Sequence, residues 1–215
     1  MKRYKRDLLK AHPRSVFFSV AGLVVFLLMF VNVLTDGPML KVDEWVSLHV
    51  SELHTETGTK MIVFLTDLNG VVASTILFVL ISTFLWYKKR YGDLRFFLFS
   101  FLGATLLFNL FKFTVRRARP DTSLFELATY SFPSGHTTMA TVLALALYVV
   151  FVKRIDAGVP RALLLLLCIL WPVMIAFTRV YLNVHWFSDV IAGLSLGLFW
   201  VTLSTMVYPP YSVRK

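Results

Sequence analysis

Six apolar stretches of this sequence can be placed by hydropathy as membrane-spanning segments, and nothing else in it constrains the fold so strongly. A transmembrane helix needs about 20 apolar residues at about 1.5 Å of rise each. The stretches run roughly over 16–35, 61–87, 96–114, 137–152, 162–181 and 189–208. The first, "VFFSVAGLVVFLLMFVNVLT", follows a basic N-terminus as the core of a secretion signal does. It is longer than such cores usually are, and no small-x-small cleavage pattern follows at "DGPML", so it reads as a retained first helix. The chain of 215 residues is 57% hydrophobic and only 16% charged, a balance that soluble domains seldom show. The expected fold class is therefore all-α: an integral membrane bundle of six transmembrane helices, forming one domain over residues 1–215. Between the first two spans, "KVDEWVSLHVSELHTE" mixes charges with Trp45, Val46, Leu48, Val50 and Leu53, which predicts a short amphipathic helix at the interface. The single cysteine, Cys168, sits inside "LLLLLCIL" and reads as a small buried apolar residue.

In a soluble protein the net charge of +10 would raise the question of nucleic acid; here the positive-inside rule explains it better, and no nucleic-acid partner is expected. With the N-terminus in the cytoplasm, fifteen of the 22 Lys and Arg fall on the inner side: Lys2, Arg3, Lys5, Arg6, Lys10, Arg14, Lys88, Lys89, Arg90, Arg95, Lys153, Arg154, Arg161, Arg214 and Lys215. Both termini are thus expected inside, in a plasma (inner) membrane. The outer side keeps Lys41, Lys60, Lys112, Arg116, Arg117, Arg119 and Arg179. Five of these seven cluster at the ends of the third and fifth spans, against the orientation rule, so they need another reason to be there.

Parity places the loops after the third and fifth spans on one face of the membrane. Between them these loops carry "KFTVRRARP", "SFPSGH" and "RVYLNVHWFSD". Lys112, Arg116 and Arg119 are spaced i, i+4, i+7 and share a face if the helix continues, while Pro120 predicts that the last turn unwinds at Arg119. Set against that is a plain snorkelling cluster for lipid headgroups. Ser134 and Gly135 precede a helix whose N-terminal N–H groups suit phosphate, although by themselves they describe only a cap. His136 has little purpose in an apolar bundle. His185 and Asp189, four apart, allow the carboxylate to hold one ring nitrogen and leave the other free as nucleophile or base; the alternative is a structural hydrogen bond. Arg179 adds a planar fork for phosphate oxygens. Together these groups describe a phosphate-handling site.

Lys112-x6-Arg119-Pro120, Pro133-Ser134-Gly135-His136 and Arg179-x5-His185-x3-Asp189 resemble, in order and spacing, the tripartite signature of the type 2 phosphatidic acid phosphatase superfamily. The motifs span residues 112 to 189, and the six-helix layout extends the likeness over most of the chain. One departure is Thr178 before Arg179, where the family usually has serine. The resemblance implies that His185 attacks phosphorus to give a phosphohistidine, that Asp189 orients it, and that His136 protonates the leaving oxygen. Lys112, Arg119, Ser134, Gly135 and Arg179 would hold the phosphate. It implies no metal and no cofactor, and the carboxylates do not cluster as a two-metal site requires. Arg116 and Arg117 lie outside the matched positions, and a second phosphate, a lipid headgroup or solvent are all open to them. The implied protein is a lipid phosphatase in the bilayer, acting on a lipid phosphate or pyrophosphate monoester of the phosphatidylglycerophosphate, phosphatidic acid or undecaprenyl pyrophosphate type, at the extracytoplasmic face. A lipid phosphotransferase of the same superfamily and a non-enzymatic lipid-phosphate transporter or binding protein are the alternatives. The soluble haloperoxidases share the anion pocket but not the hydropathy.

Overall fold

The structure, a computed structural model, describes residues 13–210. The basic residues expected inside at Lys2, Arg3, Lys5, Arg6, Lys10, Arg214 and Lys215 lie outside them. Among the described residues eight α-helices follow in order: α1 Pro13–Leu34, α2 Met39–Ser51, α3 Glu56–Asp67, α4 Val71–Tyr87, α5 Tyr91–Val115, α6 Gly135–Phe151, α7 Val159–Tyr181 and α8 Phe187–Val207. A single 3₁₀ turn, Val152–Arg154, follows α6, and the described residues contain no strand. Helices α1, α5, α7 and α8, and the α3–α4 pair taken together, are long and apolar enough to cross a membrane. Helix α6 has 17 residues and ten of them are buried, so it is shielded by the bundle more than by lipid. The chain is a multi-pass membrane protein. Leu and Val side chains of α1, α4 and α7 face outward, as expected where the solvent is hydrocarbon.

The expected second span over 61–87 is two helices. The chain breaks at Leu68, Asn69 and Gly70, and α3 begins earlier, at Glu56. Irregular backbone at membrane depth survives only where its polar groups are satisfied inside the protein. Asn69 does much of that here. Its amide donates to the His136 carbonyl (3.0 Å), its Oδ1 accepts from Trp171 Nε1 (3.1 Å), and its carbonyl accepts from Ser74 Oγ (3.1 Å). A helix also forms where the amphipathic segment was expected, at α2. Trp45 and Leu48 are exposed and Val46 and Val50 pack on Ala176, Val180 and Val190, yet Asp43 and Ser47 are buried as well. Leu53 falls beyond the helix and is exposed.

Helix α8 is the axis of the bundle, packing on α1, α2, α5, α6 and α7. Two glycines set how closely it meets α6. A Cβ at Gly193 would stand 2.8 Å from the Ser134 carbonyl oxygen, and one at Gly197 would stand 2.7 Å from Thr141 Cβ. Phe26, Phe30, Phe111 and Phe132 pack ring to ring and join α1 and α5 to the segment leading into α6. The C-terminal ends of α5 and α7 and the N-terminal ends of α6 and α8 thereby meet at one end of the bundle, as parity requires.

Candidate active site

Helix α5 delivers Lys112 in its last turn, buried, with Nζ donating to the Tyr130 carbonyl (2.7 Å). The helix then stops earlier than Pro120 led us to expect. Arg116 caps it in the left-handed conformation, at φ 54°. That reversal overturns the expectation of a continuing face: Arg116 turns outward, its Nε bonded to the Phe113 carbonyl, while Arg117 and Arg119 turn inward. Ser131 holds the turn, its N–H donating to the Arg117 carbonyl (2.9 Å) and its Oγ to the Ala118 carbonyl (2.8 Å).

Arg119 has a partner for every N–H it carries. Its Nε donates to the Thr129 carbonyl (2.8 Å), Nη2 to Thr129 Oγ1 and the Tyr130 carbonyl (3.2 Å each), and Nη1 to the Val184 carbonyl and toward His185 Nε2 (3.4 Å). His185 sits in the turn between α7 and α8 and is 3% exposed. Its Nδ1 faces Asp189 Oδ2 at 3.5 Å, a close approach without the geometry of a formed hydrogen bond. A donor toward Nε2 and a carboxylate toward Nδ1 favour the tautomer with its proton on Nδ1 and its lone pair on Nε2. Burial first, and then Arg179, Lys112, Arg119 and His136, hold the imidazole neutral far below its ordinary 6.5. Burial likewise lowers the Arg119 guanidinium from its usual range, against the opposing pull of Asp189, and it stays a cation.

Asp189 is fully buried. Its Oδ2 accepts the Trp186 backbone N–H (3.0 Å) and its Oδ1 accepts Arg117 Nη1 (2.7 Å). The Asp189 carbonyl accepts the Ser134 N–H (3.1 Å), which docks the start of α6 on the start of α8. Ser134 Oγ caps α6: it accepts the Thr137 N–H (3.4 Å) and pairs with Thr137 Oγ1 (2.9 Å). Arg179, at the end of α7, gives Nη1 to Thr66 Oγ1 (3.0 Å) and leaves Nε without a partner. Thr178 bonds the Ile175 carbonyl one turn back, so its hydroxyl serves the helix.

Lys112, Arg119, Gly135, His136, Arg179 and His185 surround one cavity of about 380 Å³. Of the eight predicted site residues only Ser134 and Asp189 stand outside its wall, the first as helix cap and the second behind His185. Three cations, a helix N-terminus and a neutral imidazole around so small a space suit a phosphoryl group. An apolar groove of about 890 Å³ between α4, α6 and α7 adjoins it and shares Asn69 and Ser74 with it. Among the described residues no group of three His, Cys, Asp or Glu side chains stands where it could hold a metal.

The PAP2 superfamily profile matches residues 93–211, which include every residue of the cavity's cationic wall and both histidines. The chain belongs to the PAP2 superfamily. It is similar to phosphatidylglycerophosphatase B of Bacillus subtilis, at 25% identity over 183 residues, 84% of this chain and 90% of that one. It is also similar to lipid A 1-phosphatase of Rhizobium johnstonii, at 34% identity over 133 residues, 57% of this chain and half of that one. The crystal structure of the PAP2-type phosphatidylglycerolphosphate phosphatase from Bacillus subtilis superposes with a TM-score of 0.72 at 25% identity, covering 86% of this chain and 94% of that one.

Sequence reasoning missed Asp43, Asn69 and Arg117. Asp43 had a signal: positions 43, 46, 47 and 50 share a helix face, so an acid was placed beside Val46 and Val50 on the inward side. Arg117 had only its place among basic residues on the wrong side of the membrane, and Asn69 was hidden in an apolar average.

Proposed function

We propose that the cavity is where this membrane lipid phosphatase hydrolyses a phosphate or pyrophosphate monoester of a lipid, through a phosphohistidine on His185. The observation that carries the reading is the placement of His185: buried in the cavity wall, its Nε2 toward Arg119 and its Nδ1 toward Asp189. Lys112, Arg119, Arg179 and the N–H groups at Gly135 bind the phosphate oxygens, and the Ser134 cap holds that helix start in place. Nε2 attacks phosphorus as the bond to the lipid oxygen breaks, Asp189 stabilises the positive charge growing on the ring, and His136, protonated as the phosphate anion enters, gives its proton to the leaving lipid oxygen. His136 then draws a proton from water, which attacks the phosphohistidine and releases inorganic phosphate and free His185. Arg119 links clamp and nucleophile. Its weakest contact, the 3.4 Å approach to Nε2, is the one a phosphate oxygen replaces, which frees the lone pair as the anion arrives.

The substrate class follows from the groove beside the cavity. Its apolar wall, continuous with the phosphate cradle at Asn69 and Ser74, suits a hydrocarbon chain entering sideways between helices. A phosphatidylglycerophosphate, phosphatidic acid or undecaprenyl pyrophosphate satisfies both parts. The charge asymmetry supports an extracytoplasmic site in a plasma (inner) membrane with both termini inside. Purified protein in detergent should release phosphate from such lipids and hold an acid-labile, alkali-stable phosphoryl group in the steady state. His185→Ala should lose both while remaining folded. A folded His185→Ala protein with near wild-type turnover overturns the reading.

A further inference from the structure

Arg117 takes no part in the wall of the cavity that Lys112 and Arg119 line. Its guanidinium is nearly buried and bridges two buried carboxylates: Nη1 to Asp189 Oδ1 and Nη2 to Asp43 Oδ2, both at 2.7 Å. Nη1 also reaches Ser188 Oγ (2.7 Å), and the plane lies over the Trp186 ring, 5.2 Å from its centroid. Asp43 in turn accepts from the Ser188 N–H on Oδ1 (2.7 Å) and from Ser188 Oγ on Oδ2 (2.6 Å). An acid from α2 therefore caps the first turn of α8 from outside and grips the arginine that grips Asp189. Asp43, Ser188 and Asp189 are buried and the Arg117 side chain is only 11% exposed, and in such surroundings a half-satisfied ion group is costly and a fully paired one is rigid.

The arrangement explains why two carboxylates flank one guanidinium. With Arg117 alone, Asp189 would share its charge with a cation and have less left for the imidazolium that forms on His185. Asp43 divides that cation between two acids, so the group leaves a net negative charge behind His185. The fork pins Oδ1 and leaves Oδ2 to the Trp186 N–H and the ring.

We propose that Arg117 and Asp43 are positioning residues: they fix the orientation and charge of Asp189, and through it the nucleophile, without touching the phosphate. The inference rests on the phosphohistidine reading above. It makes α2, the helix outside the motif-bearing core, part of the catalytic apparatus.

The test is a double-mutant cycle on phosphate release by purified protein, with competitive inhibition by inorganic phosphate measured alongside. Arg117→Gln should lower kcat about tenfold or more while KM and the inhibition constant for phosphate stay within about twofold. In an Asp189→Asn background the same change should cost no more than about twofold. Asp43→Asn should behave like a milder Arg117→Gln, and it serves if Arg117→Gln does not fold. Arg119→Gln, by contrast, should weaken phosphate inhibition. If Arg117→Gln costs the same factor with and without Asp189, or weakens phosphate inhibition as Arg119→Gln does, Arg117 is a substrate ligand and the inference fails. Activity in His185→Ala would instead overturn the reading beneath it, whatever the cycle gives.

Discussion

Arg119→Lys separates charge from geometry in the cradle. Lysine keeps the positive charge but replaces five fixed N–H donors with three on one nitrogen. Arg119 now reaches Thr129 and Tyr130 on one side and Val184 and His185 on the other. A single ammonium cannot serve both sides and a phosphate oxygen as well. The loss of one charge-assisted contact to the transition state amounts to about 1.5–3 kcal/mol, or roughly ten- to a hundredfold in kcat/KM. Arg119→Gln, which loses the charge too, should fall further. The lysine variant should also unfold at lower temperature, because the loop at 129–130 and the turn at 184–185 lose their common tie. Phosphate release from a short-chain phosphatidate in detergent, with thermal unfolding of the same samples, reads both effects. An Arg119→Lys enzyme within threefold of wild type, with an unchanged melting temperature, would mean that charge alone matters here.

Three further outcomes are expected. His136→Ala should slow esters with poor leaving groups far more than those with good ones; equal damage to both would remove His136 as the acid. Because folded His185 resists protonation below its ordinary 6.5 while the unfolded chain does not, stability should fall as pH drops below about 6.5. That fall is at most about 1.4 kcal/mol per pH unit from this residue, and thermal melts of His185→Gln should lack it; parallel curves for the two proteins would contradict the assignment. With buried Cys168 replaced, a cysteine at exposed Glu126 should react with an impermeant thiol reagent in intact cells and one at exposed Ala157 only after lysis, and the reverse pattern would put the site in the cytoplasm.

Most of the helices were legible because lipid leaves so few alternatives: a long apolar run with its backbone satisfied is a helix. What hydropathy could not show was the interruption at Leu68–Gly70. A window average over 61–87 stays apolar through one asparagine and one glycine. The break is stabilised by Trp171 and His136, more than sixty residues away in sequence, and no local pattern encodes those partners. Reading α2 as a helix with apolar residues for the membrane was also incomplete. Trp45 and Leu48 do face outward, but the opposite side is not plain solvent-facing polarity, since it carries the buried Asp43 and Ser47.

The site was legible to the extent that spacing survives a change of backbone. Lys112 and Arg119 reach one cavity although the helix expected to align them ends at Val115. What brings them together is a left-handed residue at Arg116, which turns the chain so that Arg117 and Arg119 both point inward and Ala118 between them points out. Such alternation is the rule in extended chain, not in helix. Once the turn is granted, Arg117 must be inside, and a guanidinium inside needs acids. The available ones were Asp189, already tied to His185, and an acid from elsewhere in the chain. Asp43, on the inward face of α2, is that acid. The helical reading of "KFTVRRARP" concealed this, because it aligned Arg116 with Lys112 and Arg119 and gave no reason to turn Arg117, rather than Arg116, inward.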